Sequence, residues 1–96
     1  MDEATCSAAA QGGHPAALEV LVQAGADVDR ATTRSGNTPA HMAANNGHTA
    51  ALEVLIRAGA DVNKGRTSDG GTPAAQASLM GHTAALEVLV AAGARV

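Results

Sequence analysis

The stretch Gly47 to Val62 occurs three times in this chain, beginning at Gly13, at Gly47 and at Gly81. Both steps are 34 residues, and each neighbouring pair of copies matches at 13 of 16 positions. A unit this short cannot cover its own apolar face, so successive copies must stack on one another. The period therefore predicts a solenoid, with one layer per repeat. The chain is long enough for one domain and no second. We place that domain over residues 1–96, with units of about 1–28, 29–62 and 63–96.

Each unit reads as two short helices and a projecting loop. Ala4 to Gln11 is alanine-rich and favours helix, with Asp2 and Glu3 placed to complement its positive end. Gly12-Gly13 ends it, and Pro15 opens a second helix to about Ala24, carrying Leu18, Leu21 and Val22 at helical spacing. In the next unit Thr38 is the expected N-cap and Pro39 the first helical residue. That helix runs to Asn45, and Thr49 to Ala58 forms its partner. Thr72-Pro73 restarts the pattern, and Thr83 to Ala92 completes it. Gly25 to Asn37 and Asp61 to Gly71 read as turns or hairpins that project from the stack.

The apolar share is 46%, yet there is no Phe, Tyr or Trp. Such a core buries less area per side chain, at roughly 25 cal/mol per Å², so close packing of small residues between layers must replace bulk. A formal charge of −3 argues against a nucleic-acid binder, which needs a basic face. Arg30, Arg34, Lys64 and Arg66 form a local basic cluster best read as solvated loop surface. The single cysteine, Cys6, excludes an internal disulfide and a multi-cysteine zinc site. With no apolar run near membrane-spanning length and no secretory signal, cytosol or nucleus is the expected compartment.

Residue by residue, the middle unit resembles the ankyrin repeat, through Gly36, Thr38, Pro39, His41, Ala43, Ala44, Gly47, His48, Gly59, Ala60, Asp61, Val62 and Asn63. The last unit repeats Gly70, Thr72, Pro73, Ala77, Gly81, His82, Gly93, Ala94 and Val96. The resemblance implies an all-α repeat solenoid: three helix-turn-helix units joined by two β-hairpin-like loops. Three departures stand out. The period is one residue longer than the family's, with the extra residue in the loop. The family's Leu after Thr-Pro is Ala40 and Ala74, a loss of core volume that implies closer approach of the helices or lower stability. The family's structural His is kept as His41 but is Ala75 in the last unit.

The histidines do not read as a metal site. His14, His48 and His82 hold the same place in layers about 8–10 Å apart, too far for one zinc, so they are expected to cap. Glu19, Glu53 and Glu87 form a ladder in register, not an acid–base pair. Cys6 has no evident base, and the glycines punctuate turns instead of cradling phosphate. No catalysis, cofactor or metal is expected.

What remains is surface. The segments beginning at Gly13, Gly47 and Gly81 barely vary, whereas Asp29–Asn46 and Asn63–Met80 match at only 6 of 18 positions. Fixed packing beside a freer surface gives that division. The resemblance implies a protein-interaction module that grips a partner with its loop tips and the concave face of the first helices. Its contact positions fall on Gln11, Arg34, Ser35, Asn37, Asn45, Asn46, Ser68, Asp69, Gly71, Leu79 and Met80. Leu79 and Met80 are notable as an adaptable apolar pair, though shielding the end of the stack is an alternative role. The resemblance also marks Asn63, with Leu55 eight residues before it, as a possible asparaginyl hydroxylation site. Both terminal units lack polar caps, so end-to-end self-association, or a place within a longer ankyrin array, is the competing expectation. An engineered repeat scaffold is a third, suggested by the near-identical second helices.

Overall fold

The computed structural model describes residues 4–32 and 36–94. They form six helices: α1 (Ala4–Gln11), α2 (Pro15–Gln23), α3 (Pro39–Asn45), α4 (Thr49–Arg57), α5 (Pro73–Leu79) and α6 (Thr83–Ala91). Helices α1 and α2 make the first layer, α3 and α4 the second, α5 and α6 the third. Along the stack, α1 packs on α3 and α3 on α5, while α2, α4 and α6 form a parallel second row. Among the described residues there are no strands.

Composition explains why the two rows pack differently. The seam between first helices is almost all small residues: Ala9, Ala10, Ala40, Ala43, Ala44, Ala74 and Ala77 are buried there, with Cys6. The second row supplies the volume through Leu18, Leu52, Leu55 and Leu89, each fully buried. Ala40 and Ala74, where the family pattern has Leu, are 0% and 2% exposed. The neighbouring helices close over them and leave no solvent-filled gap.

Helix ends follow local chemistry. Thr38 caps α3 with extended backbone and an accepting side chain, and Pro39 fills the first position; Thr72 and Pro73 do the same for α5. The second helices stop one residue earlier than the pattern suggests. Ala24, Ala58 and Ala92 have ψ of 0, 0 and 3° and serve as C-caps. The next two N–H groups then fold back, as Gly59 N to Ile56 O and Ala60 N to Leu55 O, each 3.0 Å. This Schellman closure needs a left-handed residue, which glycine provides without strain.

The expected hairpin-like loops are present as tight closures, not ladders. Thr32 N donates to Asn37 O at 2.9 Å and Gly36 N to Thr32 O at 3.1 Å. The second loop closes by Arg66 N to Gly71 O at 2.8 Å and Gly70 N to Arg66 O at 2.7 Å. Asp2, Glu3, Arg34, Ser35 and Val96 lie outside the described residues.

Candidate functional site

Three kinds of side chain hold the layers in register, and they define which surface remains for a partner. The first is His41. Its Nδ1 accepts the Thr38 N–H at 3.1 Å and lies 2.8 Å from Thr38 Oγ1, while its own N–H donates to that oxygen at 3.3 Å. Its Nε2 then donates across the junction to Gly71 O at 2.6 Å. Accepting at Nδ1 and donating at Nε2 is possible only for the neutral imidazole. Burial lowers the pKa accordingly, with Arg66 and Lys64 adding to the effect against the Gly71 bond and Asp69. His41 is a rivet between the second layer and the third.

The second kind is the Gly-His pair. His14, His48 and His82 do stand at helix N-cap positions, but none makes a side-chain cap bond to its own helix. The expectation of capping is corrected here. The rings of His48 and His82 instead reach back to the preceding layer. His82 Nε2 contacts Asn45 O at 3.1 Å. A Cβ at Gly13 would lie 2.7 Å from the His48 ring, and one at Gly47 would lie 2.7 Å from the His82 ring. With φ of 70 and 69°, these glycines both make the turn and leave room for the next layer's imidazole.

The third is a polar ladder along the loop bases. Asp27 and Asp61 each accept the N–H two residues on at 2.9 Å, the Asx turn that such sequences favour. The Asp29 carboxylate then accepts Asp61 N at 2.9 and 3.2 Å, and Asn63 Nδ2 donates to Gly93 O at 3.3 Å. Lys64 Nζ adds a bond to Asp29 O at 3.1 Å. Sequence reasoning missed these inter-layer bonds. The signal was present, since Asp29 and Asn63 occupy the same register.

The candidate contact residues fall into two groups. Gln11, Asn45, Asn46, Leu79 and Met80 end the first helices, one cluster per layer, and so come together along one edge. Gln11 and Asn46 are exposed and Asn45 half-buried; Asn46 Nδ2 reaches Gln11 O at 3.4 Å. Leu79 is 78% and Met80 51% exposed. The loop group is more constrained. Ser68 and Asp69 are exposed, with Asp69 held by Arg66 at 2.7 and 3.1 Å. The Gly71 N–H, bonded to it at 2.9 Å, and then Arg66 keep its carboxyl below the usual range. Gly71 therefore has its N–H bonded to Asp69 and its carbonyl to His41 and Arg66. Asn37 is half-buried, its carbonyl closing the first loop.

Cys6 is buried, and burial, then the Asp27 carboxylate, push its thiol above the ordinary value, away from a reactive thiolate. Glu19 pairs with Arg57 of the next layer at 3.4 Å, an exposed contact. Among the described residues no three His, Cys, Asp or Glu side chains gather as metal ligands, and no helix is long and apolar enough to cross a membrane.

Paired helices stacked at constant stride, with rivets inside and a free edge outside, define a repeat solenoid of the interaction-scaffold class. The family model for ankyrin repeats, in three copies, matches residues 6–96, and the chain belongs to the ankyrin repeat family. Members of that family are generally protein–protein interaction modules without catalysis. No curated protein matches the chain.

Proposed function

We propose that the chain binds a partner protein through its two loop tips and the concave face of its first helices, without catalysis or cofactor. The observation that carries this reading is the edge at the ends of α1, α3 and α5. There Leu79 and Met80 stand in water, 78% and 51% exposed, at the register occupied by Asn45 and Asn46 one layer earlier. Exposed apolar residues in line with amides are what a protein contact uses. The net charge of −3 disfavours nucleic acid as the ligand. Gln11, Asn37, Asn45, Asn46, Ser68, Asp69 and Gly71 frame the contact, with Arg34 and Ser35, outside the described residues, added from the family resemblance. A lone cysteine and a compact acidic fold suit cytosol or nucleus.

The test is capture on the immobilised chain followed by mass spectrometry, comparing wild type with Leu79→Asp and with Arg34→Glu. Proteins retained by wild type and lost from either variant, with circular dichroism unchanged, support the surface. An identical set on all three removes it. Asn63, carried over from the family, is proposed as a hydroxylation acceptor. Its mass after incubation with an asparaginyl hydroxylase should rise by one oxygen; no change ends that assignment.

A further inference from the structure

Each layer of this stack has a front and a back, and among the described residues the back of the first layer and the front of the third are uncovered. On the second row, Glu19 and Val22 of α2 face Val54 and Arg57 of α4 across one groove. One layer on, Glu53 and Ile56 face Val88 and Ala91. Register then assigns Val20 to the back of the first layer and Val90 to the front of the third. Exposure agrees. The back-facing valine is 5% exposed as Val54, where a layer covers it, and 66% exposed as Val20; Val90 is 47% exposed. The turns tell the same story. His48 lies over Gly13 and His82 over Gly47, whereas no described residue comes within 4 Å of a Cβ at Gly81, and His14 is exposed.

We propose that the chain self-associates head to tail, the back of one copy's first layer docking on the front of another copy's third. Val20 then lies against the surface at Val90, and His14 takes the place over Gly81 that His48 and His82 fill at Gly13 and Gly47. The occupant is a second copy because the chain builds this junction twice within itself and carries both halves of a third. Gln23 stands where Arg57 stands, and Glu87 where Glu19 stands, so the ion pair of the first junction becomes an amide facing a carboxylate. Front and back differ, so the contact is heterologous, and because it repeats the internal junction it continues the line of the stack and grows as an open filament. Assemblies lengthen with concentration. This inference uses different residues from the concave surface and does not rest on it.

Sedimentation velocity from micromolar to millimolar chain tests it. The mean mass should climb past two copies without a plateau. Val20→Asp and Val90→Asp alter exposed positions, so each should keep its helical circular dichroism and remain a monomer. An equimolar mixture of the two should stop at two copies, because one variant keeps a working front and the other a working back. Gln23→Arg, which restores the pair to Glu87, should lower the concentration of half-association several-fold, and adding Glu87→Gln should cancel the gain. A wild-type monomer throughout, a wild-type plateau at two copies, or association indifferent to both aspartates would each overturn the proposal.

Discussion

The middle layer and the outer two share nearly the same second helices, yet among the described residues only the middle one packs against a layer on both sides. His41 is the difference in its first helix. At the same register the first layer has Ser7 and the third Ala75. Ser7 is 3% exposed, and its Oγ has no hydrogen-bond partner among the described residues. The loop carbonyl that a histidine there would meet is Asn37 O, the counterpart of Gly71 O. Ala75 is exposed. The histidine rivet is thus present at the second junction, through His41 and Gly71 O, and missing at the first, where Ser7 Oγ meets no partner among the described residues.

The sharpest way to break this contrast is His41→Ala. It leaves the buried Thr38 N–H without its acceptor and a cavity at the second junction, and should lower stability by about 3 kcal/mol in denaturant titration. Protonation attacks the same point. The folded-state pKa lies below the ordinary 6.5, so the unfolded chain binds the extra proton. The contribution is fully present above pH 6.5 and is lost as pH falls from there toward the folded value, at no more than about 1.4 kcal/mol per pH unit. His41→Ala should flatten that part of the pH profile; an unchanged profile would mean the imidazole is not held neutral.

Ala40→Leu restores the family residue at a position with no room left. Overpacking there should destabilise by about 2 kcal/mol, and Ala74→Leu, in a layer open on one side, by less. A stabilised Ala40→Leu would show that the seam retains slack. Smaller still is a matched pair on the second row. Val54→Ala removes two buried methyl groups, about 1.5 kcal/mol, whereas Val20→Ala at the same register should fall within about 0.5 kcal/mol. Equal effects would erase the distinction between middle and end. Ser7→His sharpens it from the other direction. If the new imidazole reaches Asn37 O, thermal unfolding should report a gain of about 1 kcal/mol; a loss would show the first-layer slot too tight for the ring.

Much of this architecture was legible because its determinants are local. Thr38-Pro39 and Thr72-Pro73 carry the N-caps, glycine carries the turns, and a fixed period carries the stacking. The second helices end a residue sooner than apolar spacing suggests, since Ala24, Ala58 and Ala92 still bond back into the helix through their N–H groups but have left helical ψ ahead of a left-handed glycine. Longer-range geometry was harder to read. His48 and His82 look like caps in one dimension, and only their neighbours in the preceding layer reveal that the rings point backward. Asp29 and Asn63 share a register but bond with opposite polarity, one accepting and the other donating, a choice set by the atoms of the following layer. Gly71 maps to the contact surface by analogy, yet its backbone is occupied by His41, Arg66 and Asp69.

Because α3 and α4 are gripped on both sides, opening them requires parting two junctions, whereas α1 with α2, or α5 with α6, parts only one. Amide protons should therefore exchange with deuterium fastest at the two extremities and slowest in the centre. Fraying from the ends inward is the motion this stack permits most readily.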